Sequence, residues 1–271
     1  MTTFKALVKE VLLPRKESEI LLFHAFDCDR SWFYAHGDDP VTMPEATHFF
    51  ELVKRRQAGE PLAYILGQWE FWSLPLTVTP DVLIPRMDTE ILVQWGVSLL
   101  LESSRRRCLD LGTGSGAVAL AVKHEVAGSE ITAVDLSEPA LSVARANGRQ
   151  LGLEVEWLWG SWFEPVRTRH FELIVANPPY IRDDDEHLHQ GDLPAEPSMA
   201  LKAGNDGLRA LRELATEGQA SLEPGGWMLL EHGWDQGPDV RNLMADNGWQ
   251  AVETRRDLAG HERVTGGRRP L

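Results

Sequence analysis

Asn177-Pro178-Pro179-Tyr180 puts a primary amide, two prolines and a phenol ring in consecutive positions. Neither proline donates a backbone hydrogen bond, and Pro179 biases Pro178 toward extended backbone, so the stretch is a stiff, carbonyl-rich corner. A planar amino group attached to a carbonyl or a ring is a weak nucleophile, because its lone pair is delocalised. Its two N–H donors match the Asn177 side-chain oxygen and the Pro178 carbonyl, while Tyr180 packs on its flat face. Held in this way, the nitrogen can rehybridise toward an electrophile without a strong base, through positioning and transition-state electrostatics. The same four residues also suit a proline turn in which Asn177 caps local backbone, and alone they do not choose between the two.

Three further groups have the right types for a shared site. Gly112-Thr113-Gly114-Ser115-Gly116 is a glycine turn of the kind that lets a ligand approach backbone N–H groups at a helix N-terminus. A compact strand-to-helix turn and a dinucleotide site are the competing explanations. The Gly-x-Gly-x-Gly spacing, rather than Gly-x-Gly-x-x-Gly, argues against a pyrophosphate site. Asp135 ends a strand, where an acid can accept hydrogen bonds from two ribose hydroxyls; the alternative is a helix cap, a role open to Ser137 as well. Trp162 and Phe163 offer an aromatic face to an adenine ring, or plain core packing.

These residues need a scaffold that brings strand ends together. The apolar, partly β-branched run 171–176 predicts a buried strand that the two prolines stop. Residues 108–111, 130–136, 155–159 and 226–231 predict further strands. Helices are predicted over 117–126, 139–151 and 207–220. Strands alternating with helices imply a parallel sheet covered on both faces, and such sheets bind ligands beyond the carboxyl ends of their strands, near a topological switch point. An adenosine-type cofactor held by the glycine turn, Asp135 and Trp162 would face Asn177. S-adenosyl-L-methionine fits, since its sulfonium methyl is an electrophile that requires neither metal nor hydride.

The residues before this region read differently. Amphipathic spacing over 6–12 and 17–26, and a helix opening near Pro44 and running to Arg56, predict a small helical domain over 1–68. Residues 69–86 carry alternating β-formers and three prolines, a short hairpin or linker. The domain bearing the site is expected over 87–271. Of the chain's 271 residues, 43% are hydrophobic and 25% charged, the balance of a soluble globular protein. A net charge of −14 and a pI near 5.1 give no long-range attraction to nucleic acid, which disfavours such a substrate unless a local basic patch serves. The two cysteines, Cys28 and Cys108, make no disulfide framework, and no metal-type Cys/His spacing is present; His187 and His189 read as solvated loop residues, as does the acidic run 183–186. No signal peptide or membrane-spanning run is evident, so a cytoplasmic protein is expected.

With these residues in place, the chain resembles the HemK/PrmC family, the protein-(glutamine-N5) methyltransferases of bacterial class-1 release factors. The resemblance spans nearly the whole length. It is carried by Pro61 to Gly67, Glu70-Phe71, Ile84-Pro85-Arg86 with Asp88-Thr89-Glu90, the glycine turn, Val134-Asp135, Asn177 to Ile181, Glu196-Pro197, Ala200-Leu201, Asp206-Gly207-Leu208 and Arg263-Val264-Thr265. The Asn-Pro-Pro-Tyr corner is shared with DNA N6-adenine methyltransferases, whereas the block ending in Asp88-Thr89-Glu90 points to the glutamine branch. Met87 departs from the proline usual in the family. The resemblance implies a Rossmann-like class I methyltransferase domain with a mostly parallel seven-stranded sheet, preceded by a helical domain that recognises the substrate. It implies S-adenosyl-L-methionine bound by Gly112 to Gly116, Asp135 and Trp162, with Asn177 also touching it. It implies a Gly-Gly-Gln glutamine held by Asn177, Pro178, Pro179 and Tyr180, with Asn177, Pro178 and Tyr180 as the catalytic set. A monomer without metal or membrane is expected, with class-1 peptide chain release factors as partners. A ribosomal-protein glutamine methyltransferase, a nucleic-acid adenine-N6 methyltransferase and a non-catalytic nucleotide-binding module are the alternatives.

Overall fold

The structure is a computed structural model and describes residues 2–271. It divides into two compact units. The first comprises the residues up to Gln68 together with Gly191–Ala195, and the second comprises Trp69–Gln190 and Glu196–Leu271.

The first unit is helical: α1 (Phe4–Glu10), α2 (Arg15–Phe26), α3 (Arg30–His36), α4 (Met43–Gln57) and α5 (Leu62–Leu66). Helix α4 starts in a capping box, in which the Thr42 side chain and Glu45 satisfy each other's exposed N–H groups, with Pro44 in the first turn where its missing N–H costs nothing. The core joins Leu7, Leu21, Leu22, Phe33, Phe49 and Leu52. Two helices went unread in the sequence. Helix α3 is announced by its cap, Asp29, whose side chain accepts from Trp32 N, but it has only seven residues. Helix α5 has five, too few for a period to be seen.

The second unit is the expected α/β layer structure. Its sheet contains β1 (Arg107–Leu111), β2 (Glu130–Asp135), β3 (Glu156–Trp159), β4 (Phe171–Ala176), β5 (Leu222–Glu231), β6 (Gln250–Arg256) and β7 (Glu262–Arg268). The spatial order is 3-2-1-4-5-7-6; the 3-2-1-4-5 run is parallel, and β7 lies antiparallel to both of its neighbours. The switch point falls between β1 and β4, whose crossovers leave in opposite directions.

Period-two alternation splits the core between the two faces. On β4, Leu173 and Val175 join the layer under α6 (Glu90–Glu102) and α7 (Ala117–Glu125), while Ile174 and Ala176 join the opposite layer with Leu211, Leu214 and Met244. Helices α9 (Arg209–Glu217) and α10 (Gly237–Asp246) cover that second face. Ahead of the sheet, Gln68–Phe71 and Leu74–Thr77 form a hairpin whose turn residues Trp72 and Ser73 both have positive φ, +53° and +57°. Two left-handed residues in a row match the twist of such a hairpin.

Candidate active site

A cavity of about 610 Å³ opens at the carboxyl ends of β1, β2 and β4. Six of the residues proposed from the sequence to bind cofactor or substrate line it: Gly112, Gly114, Asp135, Trp162, Asn177 and Pro179. Thr113, Ser115, Gly116, Pro178 and Tyr180 are not in its lining.

One wall is the glycine turn. Gly112 has φ +71°, and a Cβ there would stand 3.4 Å from Trp162 Cζ3, so the indole lies directly over this glycine. Trp162 itself has φ +40°, a left-handed conformation that costs a non-glycine residue about 1–2 kcal/mol. Gly116 does different work. A Cβ there would meet Trp157 Cη2 at 3.0 Å and Ala144 Cβ at 3.2 Å, so its bare Cα lets α7 close onto its neighbours. The turn's N–H groups are committed inside the protein: Gly112 and Thr113 donate to the Val134 carbonyl, Gly116 donates to the Thr113 carbonyl, and Gly114 donates to Asp135 Oδ2 at 2.8 Å. At these positions the turn supplies shape and close approach rather than free donors.

Asp135 is organised by the same bonds. Its Oδ2 accepts from Gly114 N and its Oδ1 from Ser137 N, each at 2.8 Å. Each oxygen keeps one further acceptor position, a pair suited to a vicinal diol. Burial raises its pKa, opposed by the backbone N–H groups of Ser137, Gly114 and Leu136. The cap of α8 (Glu138–Leu151) is Ser137, whose hydroxyl accepts from Ala140 N at 3.2 Å. Below the turn, Asp110 Oδ2 accepts from Thr113 Oγ1 at 2.6 Å and from Ala119 N at 3.2 Å, tying β1 to the first turn of α7. Burial pushes its carboxyl up to about 7, against those two hydrogen bonds. Fully buried Asn147 completes the support: it accepts from Thr77 N at 2.8 Å and donates to the carbonyls of Thr77 and Ser115.

The opposite wall is the Asn177 corner. Asn177 Nδ2 donates to Thr89 Oγ1 at 3.1 Å. Pro178 is buried. Tyr180 is turned into the protein, packed on the second core layer, with its hydroxyl 3.4 Å from Glu231 Oε1 and its carbonyl accepting from Gln236 Nε2. Burial raises its pKa, and the adjacent Glu231 adds to the effect. Glu231 ends β5 and is 1% exposed; burial lifts its carboxyl to about 7 against hydrogen bonding from Thr89 and the charge of Arg263.

Several of these residues were not marked as chemical in the sequence. Glu231 closes an apolar strand as Asp135 does, and that shared position was the available signal. Thr89 had none beyond its place in Asp88-Thr89-Glu90. Glu196 has a fully buried side chain that accepts from Ile84 N at 3.1 Å and pairs with Arg86, so two separate blocks of the family resemblance meet in space. Within the acidic run, Asp183 lines the cavity and accepts from Gly204 N rather than standing wholly in solvent, and Asp185 Oδ1 lies 2.7 Å from His187 Nδ1. Phe163 is core, 5% exposed. Among the described residues no cluster of His, Cys, Asp and Glu could hold a metal ion, and no helix is long and apolar enough to cross a membrane.

Comparison with known proteins bears on both units. Residues 3–67 match the PrmC N-terminal domain family and residues 88–193 the methyltransferase small domain family. The release factor glutamine methyltransferase of Xylella fastidiosa is 48% identical over 259 residues, 95% of this chain and 94% of that protein. The protein of the same name from Bordetella pertussis is 47% identical over 269 residues, 98% and 99% of the two chains. Among solved structures, a methyltransferase from Pyrococcus furiosus superposes with a TM-score of 0.53 at 16% identity, covering 80% of this chain and 98% of that one. A 16S rRNA methyltransferase of T. thermophilus, in complex with AdoMet and guanosine, gives 0.54 at 18% identity, covering 74% and 49%. At those identities the likeness is one of fold. The near-complete match to the curated relatives goes further: the chain belongs to the release factor glutamine methyltransferase family.

Proposed function

We propose that this protein methylates the side-chain amide nitrogen (N5) of the glutamine in the Gly-Gly-Gln motif of class-1 peptide chain release factors, with S-adenosyl-L-methionine as methyl donor. The observation that carries this is the Asn177 amide on the cavity wall, anchored through its nitrogen, in a chain 48% identical to a relative of that name. The cavity fits the donor. Asp135 keeps two acceptor positions for a ribose diol, the Trp162 indole lines the cavity beside Gly112, and about 610 Å³ accommodates an adenosyl group. When bound, S-adenosyl-L-methionine supplies an electrophilic sulfonium methyl.

The chain's own residues bind and orient. Gly112 and Gly114 of the turn, with Asp135 and Trp162, would hold the nucleoside, and Thr113, Ser115 and Gly116 shape the turn behind them. Asn177 accepts one glutamine N–H through Oδ1, the Pro178 carbonyl accepts the other, and Pro179 shapes the corner. With both protons directed, the nitrogen lone pair is drawn out of conjugation and aimed along one line. No general base is required, because the proton becomes acidic as the nitrogen acquires positive charge and passes to water. Tyr180 backs the corner from the protein side. The helical unit offers the surface for the body of the release factor, and a cytoplasmic monomer suits that role.

The test is mass spectrometry of a purified release factor incubated with this protein and S-adenosyl-L-methionine. A single methyl increment on the Gly-Gly-Gln peptide is expected, localised to the glutamine side chain. An unmodified peptide, with cofactor binding shown separately, would remove release factors as the substrate.

A further inference from the structure

We propose that Thr89 is a positioning residue that sets which way the Asn177 amide faces, with Glu231 as the acceptor that fixes the direction of the Thr89 hydroxyl. This rests on the assignment of Asn177 as the group that receives the substrate amide.

An asparagine amide is nearly symmetric in shape, and its two ends differ only in what they hydrogen-bond. If Asn177 presented its NH₂ to an incoming amide NH₂, donor would face donor. The structure contains the device that prevents this. Asn177 Nδ2 lies 3.1 Å from Thr89 Oγ1. A hydroxyl has a single proton, so it accepts from Asn177 only while that proton is directed elsewhere. Behind it lies Glu231, 1% exposed, with Oε1 3.4 Å from the Tyr180 hydroxyl and with Thr89 near enough to lower the pKa of its carboxyl. Glu231 Oε2 is buried and accepts no hydrogen bond, an unpartnered oxygen behind the cavity wall. Such an atom is costly to keep in a core unless its lone pairs serve a purpose. Arg263, paired to Asp88 at 3.0 Å and to Asp257 at 2.9 Å, supplies the nearby positive charge. In the proposed arrangement the Asn177 amide donates to Thr89, and the Thr89 proton is left to turn toward Glu231, to which Tyr180 donates from the other side. Asn177 Oδ1 is then left as an acceptor for substrate. Thr89 is 4% exposed and does not line the cavity, so it acts through Asn177 and not by touching substrate.

The variants that separate this from a packing role are Thr89→Val, which keeps the shape and removes the hydroxyl, and Thr89→Ser, which restores it. With Thr89→Val, kcat for release-factor methylation should fall by about 10- to 100-fold, while the Kd for S-adenosyl-L-methionine and the KM for release factor stay within about threefold. Thr89→Ser should recover most of the turnover. Wild-type turnover in Thr89→Val, or a serine variant as slow as the valine one, would overturn the proposal. A second measurement needs no substrate: the Asn177 side-chain NH₂ protons of the wild-type protein, followed by NMR, should exchange slowly with water. Fast exchange would overturn the proposal even if Thr89→Val failed to fold. If the wild-type protein left release factor unmethylated, the substrate assignment would fail, while the amide exchange would still decide the link between Thr89 and Asn177.

Discussion

The two walls of the cavity are built on different principles. The nucleoside wall is backbone: its glycine turn and Asp135 are joined by main-chain N–H donors to a carbonyl and a carboxylate, and the only side-chain shape it needs is that of Trp162. The amide wall relies on side chains, with Asn177 held by Thr89 and Tyr180 by Glu231, and adds one main-chain group, the Pro178 carbonyl. Each wall has an acid at a strand's carboxyl end, and the two acids differ in kind. Asp135 has a backbone donor on each oxygen and opens to the cavity. Glu231 is sealed behind it with one oxygen unpartnered. Backbone bonding fixes the shape of the nucleoside wall, and only Asp135 and Trp162 meet the ligand with their side chains. Side-chain bonding gives a wall whose chemistry depends on single atoms.

Removing the side-chain acceptor that the amide wall presents should break that division most visibly. Asn177→Ala is expected to lower turnover by roughly a thousandfold, on the scale of deleting one preorganised transition-state contact, with the cofactor Kd little changed. Single-turnover kinetics and calorimetry measure the two separately, and equal loss in both would make Asn177 a structural residue. The nucleoside wall should respond in the opposite sense. Asp135→Asn keeps the size and loses the charge, so the Kd for S-adenosyl-L-methionine should rise by about 10- to 100-fold, the worth of hydrogen bonds to a charged group, with turnover at saturation nearly kept. A fall in saturated turnover alone would erase the distinction.

The smallest effect concerns the sealed acid. The Glu231 carboxyl is raised from 4.5 to about 7, so the folded state holds a proton that the unfolded state has released between those values. Its contribution to stability is therefore complete below pH 4.5 and is lost as the pH rises through 7. Between pH 5.5 and 7.5 this amounts to roughly 2 kcal/mol, at 1.4 kcal/mol per pH unit over the interval where the two states differ. Glu231→Gln removes that titration, while Asp110, raised in the same direction, is common to both proteins. Urea unfolding at the two pH values should show the glutamine variant gaining about that much relative to wild type. Parallel behaviour of the two proteins would mean that Glu231 is charged throughout.

Much of the second unit was legible because its signals are local. Strands β1 to β5 are apolar enough to be seen one at a time, and glycines, an acid and a proline corner mark their ends. Strands β6 and β7 came only through the family resemblance. Gln-Ala-Val-Glu-Thr-Arg-Arg and Glu-Arg-Val-Thr-Gly-Gly-Arg carry little apolar alternation, because β6 is a largely exposed edge and β7 uses two glycines where Trp95 and Trp249 crowd the backbone. The corner itself was found, but the orientation of its parts was not. Tyr180 was expected beside the substrate; it is outside the cavity lining, with its hydroxyl 3.4 Å from Glu231 Oε1 and its main-chain carbonyl accepting from Gln236 Nε2. Thr89 and Glu231 lie 142 positions apart, and nothing in either segment names the other. Hydrogen bonds between side chains distant in sequence have no period, so they are visible only once the sheet has brought them together.

The insertion of β7 between β5 and β6 has a consequence for biosynthesis. During translation the ribosome finishes every element of the cofactor wall, through β4, long before residues 262–268 appear. Until they do, β5 is an open sheet edge, an unpaired row of backbone groups inviting the wrong partner. Arg263, whose charge stands beside Glu231 and Tyr180, arrives with that strand. A nascent chain can thus assemble its nucleoside wall before β7 exists, whereas the amide wall acquires its electrostatic setting only once residues 262–268 have been made, by a long-range closure that is slow to form.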